Sequence, residues 1–299
     1  MPESSDNQFE QHRDGSPSAE PAASGEHAAF PSLPDEFAER ADLAPQDPRW
    51  PPHSATQPAL WTLADLGLFL LFALGTMVLV GGLVLGGFSL LNKSLHWGLS
   101  ADDARAQTPI AVLVQILWES LWLAFIYQIV VVKYRQGFWS GVRWAGKTTP
   151  TARYLLGGGL LSLLIQLLAQ HLPERPDLPI EQLFNTPASA YLLAFFGIVV
   201  APFMEELVFR GFVFPVLERR WGAVVAVLST GALFAAIHAP QLGGGGWELV
   251  AMLAVGLILS TVRALTGSLM PSFLMHLGYN SSLFILLFIS TNRFQTLSQ

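Results

Sequence analysis

Two glutamates stand side by side at positions 205 and 206, and an arginine follows at 210, all within an apolar run. Glu206 and Arg210 are spaced i,i+4, so on a helix they share a face and can pair directly. Glu205 sits about 100° away around the same helix. The two carboxylates therefore need not do one job: Glu206 can hold Arg210 while Glu205 points into a cavity. Phe234 and His238 share a helical face in a later apolar run, and His276 and Asn280 do so in the last. An ionisable group at the centre of a bilayer costs about 2.5–3.5 kcal/mol on insertion scales. Such groups must face the protein interior and meet partners, and by default they mark a functional site. A carboxylate and an imidazole together can take a proton from water, and further donors can stabilise an oxyanion formed when that water attacks a carbonyl.

The rest of the chain must place these groups in a membrane. Of 299 residues, 52% are hydrophobic and 13% are charged, with a mean hydropathy of +0.44. A soluble domain carries about 25% charged residues. This composition excludes a disordered chain, a coiled coil and an ordinary water-soluble enzyme. It predicts an all-α, polytopic transmembrane helix bundle, and no strand pattern competes, since open sheet edges cannot face lipid. The absence of cysteine excludes disulfides, thiolate nucleophiles, Fe–S clusters and Cys-ligated zinc.

Apolar segments are expected at about 66–92, 110–132, 154–170, 189–214, 222–239, 249–262 and 269–289. That is seven crossings, or eight if the glycine-rich first segment divides. Residues 1–60 hold 11 acids and 3 bases and half of the chain's 20 prolines, and read as a disordered acidic tail. The remaining chain has 11 acids and 13 bases, with nothing that suggests a nucleic-acid surface. The organisation is thus a tail (1–60), N-terminal transmembrane helices (61–177), a catalytic transmembrane domain (178–290) and a short C-terminal tail (291–299). Lys133, Arg135, Arg143, Lys147 and Arg153 share one loop, Arg219 and Arg220 lie in another, and Arg263 follows the sixth segment. The positive-inside rule puts these in the cytoplasm together with the acidic tail, and predicts a multi-pass protein of the plasma membrane. Glycines such as Gly82 and Gly86 have helix-contact spacing.

Depth tests whether the polar residues can meet. At about 1.5 Å per residue, Glu205 and Asn280 lie about 16 Å from the cytoplasmic ends of their segments, and His276 about 10 Å. His238 lies about 25 Å in, too far for straight helices, and a tilt or a break near Pro202 or Pro215 is expected to close the gap. Glu119, inside the second segment, reads as structural or cavity-lining.

The run Ala201-Pro202-Phe203-Met204-Glu205-Glu206-Leu207-Val208-Phe209-Arg210-Gly211, the run Phe234 to His238, and the run His276 to Asn280 resemble the three ordered signatures EExxxR, FxxxH and HxxxN/D of the CAAX-protease and bacteriocin-processing (CPBP, Abi-type) family. These are intramembrane endopeptidases that include the type II CAAX prenyl endopeptidases. The resemblance covers about 178–290. It implies that Glu205 and His238 activate the attacking water, that Glu206 and Arg210 organise the site, and that His276 and Asn280 stabilise the oxyanion. The substrate would be a peptide or membrane protein at the lipid bilayer. No His-Glu-x-x-His, Gly-x-Gly-Asp or Gly-x-Ser-Gly motif points to another membrane-protease chemistry. Glu205, His238 and His276 match a His₂Glu zinc site by ligand type, whereas Asn280 is a poor zinc ligand. A divalent metal therefore stands beside the preferred reading, water activated by Glu205 and His238. A non-enzymatic immunity or scaffold protein and a proton-coupled transporter are the alternatives.

Overall fold

Thr62 opens the first helix with a capping box, its hydroxyl accepting from the Asp65 amide while Asp65 accepts from the Thr62 amide. The computed structural model describes residues 61–96, 98, 108–144, 151–171, 179–184, 186–243 and 246–295. The acidic tail expected over 1–60 lies outside the described residues. The main helices are α1 (Leu63–Leu95), α2 (Thr108–Lys133), α3 (Thr151–Ala169), α4 (187–221), α5 (223–238), α6 (Trp247–Thr266) and α7 (Leu269–Ser290). Among the described residues there is no strand. The expected all-α transmembrane bundle is the fold.

Among the described residues, six runs are long and apolar enough to cross a membrane, one of them a 56-residue stretch, Pro187–Leu242. Gly222 divides that stretch. Its φ of 84° and ψ of 167° are open to glycine and strained for any other residue, and the chain reverses there. The result is seven main helices among the described residues. The first segment is one continuous helix of 33 residues, not two shorter pieces.

The reversal also corrects the depth argument. The fourth helix does not end at Phe214. It continues through Pro215 and the expected loop at Glu218–Arg220 as far as Gly222. Glu205 is then 17 residues before the reversal and His238 16 after it, so the two arms match in length. Contacts along the hairpin agree: Phe209 meets Phe234 edge-on with ring centroids 5.6 Å apart, and the Arg210 guanidinium lies 4.6 Å from the centre of the Phe234 ring. A longer helix, rather than a break, closes the gap.

The close helix contacts lie elsewhere than expected. A Cβ added at Gly82 or Gly86 would meet nothing within 4 Å. At Gly158 of α3 it would lie 1.9 Å from the Met275 carbonyl oxygen, and at Gly278 of α7 2.1 Å from that of Leu155. The α3 and α7 backbones touch through these two positions, so small residues there set the height of His276. Gly278→Ala should force the helices apart. The expected cost is about 1–3 kcal/mol, read as a lower unfolding midpoint in detergent, with Gly82→Ala as the neutral control.

Polar bonds tie the N-terminal helices to each other and, through Trp61, to α4. Asp65, fully buried, accepts from Lys133 Nζ and from Tyr134 Oη at the end of α2. Trp118 Nε1 of α2 donates to the Ala73 carbonyl of α1 at 3.1 Å. Trp61 Nε1 donates to the Phe212 carbonyl of α4 at 2.6 Å, with the two rings stacked.

Candidate active site

The helix that carries both glutamates is irregular on either side of them. Residues Phe196–Val200 and Leu207–Val213 of α4 are π-helical, and the straight piece between them is Ala201–Glu206. Wide turns of this kind occur where a helix must present side chains out of regular register. Each has a proline just beyond it, Pro202 and Pro215. A proline has no amide hydrogen and crowds the carbonyl four residues back, which favours loosening of the turn.

Glu206 and Arg210 are fully buried and paired, with Arg210 Nη1 donating to Glu206 Oε1 at 3.0 Å. The guanidinium also donates from Nη2 to the Gly256 carbonyl of α6 at 2.9 Å and from Nε to Ser260 Oγ at 3.3 Å. Ser260 in turn donates to the same Gly256 carbonyl. A buried charge pair is tolerated only when its remaining donors and acceptors are met, and α6 supplies the partners of the arginine. His276 Nδ1 of α7 lies 3.1 Å from Glu206 Oε1, so Glu206 bridges the arginine and the imidazole. In the neutral ring this hydrogen bond puts the proton on Nδ1 and a lone pair on Nε2.

The second imidazole is set in a similar way. His238 Nδ1, at the end of α5, is 2.7 Å from the Phe234 carbonyl and donates to it, which again leaves a lone pair on Nε2. Both Nε2 atoms face Glu205: His238 Nε2 is 3.7 Å from its Oε1, and His276 Nε2 is 3.6 Å from its Oε2. These separations exceed a direct hydrogen bond. The Glu205 side chain is 21% exposed and that of His238 16%, against 4% for His276 and 0% for Glu206. Access to the cluster is thus on the Glu205–His238 side.

Five of the six residues expected from sequence are therefore in one cluster: Glu205, Glu206, Arg210, His238 and His276. Asn280 engages the same helix elsewhere. Its Nδ2 donates to the Gly197 carbonyl of α4 at 2.6 Å. Glu119 of α2 is buried and accepts from Gln115 Nε2 at 2.8 Å.

Arg263 is a correction. It counted as a base in a loop, but it lies within α6, is 1% exposed, and donates from Nε to the Arg210 carbonyl at 3.1 Å. Its guanidinium also lies 5.4 Å from the centre of the Phe214 ring. Ser260 and the Gly256 carbonyl were likewise not visible as site partners. No spacing signal could have found them, because they sit on α6 and reach across to α4.

The fold and the cluster define a class, a polytopic membrane protein with a buried carboxylate–imidazole–guanidinium site between its helices. Residues 187–282 match the family model described as type II CAAX prenyl endopeptidase Rce1-like. This segment, which carries all six residues expected from sequence, is similar to the CAAX-protease family, a family of proteases. No curated protein and no solved structure matches the chain.

Proposed function

We propose that the chain is an intramembrane endopeptidase that hydrolyses a peptide bond with water activated by Glu205 and His238. The observation that carries this reading is the pair of imidazole Nε2 atoms turned toward the two oxygens of one partly exposed carboxylate. Water bound there donates one proton to Glu205 and the other to His238 Nε2, which aims its oxygen lone pair outward at a peptide carbonyl. Glu205 takes the proton as attack proceeds and returns it to the leaving amine. Glu206 and Arg210 act through His276, fixing its ring from the buried side. As a donor to the oxyanion, His276 must carry a proton on Nε2 as well. Asn280 keeps one amide N–H for that purpose, the other being committed to Gly197.

The donor types also suit a His₂Glu zinc centre, in which Glu205, His238 and His276 would hold the ion and the ion would polarise the substrate carbonyl. We write the reaction through Glu205 and His238, and the chelator arm of the test below decides the ion. The substrate is a peptide or membrane protein cut near the bilayer surface. We place the protein in the plasma membrane, with the arginine- and lysine-rich loops and the acidic tail on the cytoplasmic side.

The test is cleavage of quenched fluorescent membrane peptides by the purified protein in lipid nanodiscs. Cleavage is expected, and an equal rate after incubation with a chelator. A loss that zinc restores would move the three donors to a metal site. Peptides left intact by wild type, together with an ion flux in liposomes that depends on Glu205, would replace the protease reading with a transporter.

A further inference from the structure

Two carbonyls of α4 lack the backbone donors a helix normally supplies. The Gly197 carbonyl would accept from residue 201 in an α-turn or from residue 202 in a π-turn. The Ala201 amide goes to Phe196 instead, and residue 202 is proline. The Arg210 carbonyl is in the same position. The Phe214 amide goes to Phe209, and the next donor in register is Pro215. A buried carbonyl without a donor is costly. Each is met by a side chain from another helix, Gly197 by Asn280 Nδ2 of α7 and Arg210 by Arg263 Nε of α6. The two arrangements flank Glu205 and Glu206 on both sides.

We infer that Asn280 and Arg263 are positioning residues, which clamp the proline-freed carbonyls of Gly197 and Arg210 and so hold the two wide turns that aim Glu205, Glu206 and Arg210 at the site. The inference rests on the protease reading for its catalytic consequence, but not for its structural one. The Arg263 bond goes to the backbone of the residue whose guanidinium organises Glu206, so a relaxed turn there moves Arg210, Glu206 and His276 together. The Asn280 bond fixes the turn before Glu205 from the helix that also presents His276. This assigns Asn280 work at the backbone in addition to any donation to an oxyanion. It gives Arg263 a place in the site although it touches none of the reacting groups.

The prolines supply the test. Pro202→Ala and Pro215→Ala each provide an amide in register with the orphan carbonyl. Removing Asn280 or Arg263 should then cost much less in the proline-free background than in the parent chain. We would measure full-length protein in nanodiscs, taking both the unfolding midpoint and kcat and KM on a cleaved quenched peptide. Asn280→Ala and Arg263→Met should each lower kcat, by up to about 100-fold, with KM little changed. Pro202→Ala and Pro215→Ala should recover at least about tenfold of the respective loss. The cross combinations, Pro215→Ala with Asn280→Ala and Pro202→Ala with Arg263→Met, should recover none. Equal losses in matched and crossed backgrounds would overturn the inference. If Arg263→Met does not fold alone, recovery of folded protein by Pro215→Ala but not by Pro202→Ala supports the clamp, and failure of both overturns that arm. If wild type cleaves no peptide, the protease reading fails, and the same matched-against-crossed comparison of midpoints still decides the clamp.

Discussion

Glu205→Gln is expected to lower kcat by about 10²- to 10⁴-fold without lowering the unfolding midpoint. Glutamine keeps the size and shape of glutamate, so the packing around residue 205 is retained. What it loses is the ability to accept a proton. Glu205 is the partly exposed member of the carboxylate pair, and among the described residues the arginine bonds its neighbour Glu206 instead. Its removal therefore leaves no buried charge behind. His238→Ala should show a comparable fall in kcat, since in the proposed reaction its Nε2, 3.7 Å from Glu205 Oε1, is the other acceptor for the attacking water. Both variants are measured beside wild type on the same peptide. A Glu205→Gln protein that cleaves at the wild-type rate would show that the base lies elsewhere.

The second large effect is on stability. Arg210→Met should destabilise the fold by about 3–5 kcal/mol, the penalty for leaving one partner of a buried pair uncompensated. Glu206 is fully buried, and after the change it keeps its bond to His276 Nδ1 but has lost the arginine. The Gly256 carbonyl suffers less, because Ser260 still donates to it. Adding Glu206→Gln to Arg210→Met should recover much of the loss, since the orphaned charge is then gone. Unfolding midpoints of the two single variants and the double variant give the comparison. A double variant that is no more stable than Arg210→Met would show that arginine packing against Phe234, and not the charge, carries the cost.

How much of this was legible follows from which interactions are local. The membrane class, the helical fold and the pairing of Glu206 with Arg210 depend on composition and on neighbours one turn apart, and both are written along the chain. Six of the seven segments ended within a few residues of the helices found. The fourth did not, because Pro215 and the charged Glu218–Arg220 stretch read as a loop, whereas proline in the first turn of a helical piece is tolerated and the charges lie beyond the apolar length. That single boundary produced the mismatch in the depth of His238. The contact glycines were misplaced for a related reason. Spacing marks where a helix is able to approach a neighbour, but not whether one is there, and α1 leaves Gly82 and Gly86 open.

By itself the sequence determined that carboxylate, imidazole and guanidinium groups had to be buried together, since apolar helices in lipid leave ionisable side chains nowhere else to go. Only the tertiary structure decided how they meet: which imidazole nitrogen faces Glu205, that Gly256 and Ser260 complete Arg210, and that Asn280 and Arg263 stand in for the amides two prolines lack. Those choices join residues from separate helices, and their geometry is fixed by helix height and rotation, which no spacing along one segment encodes.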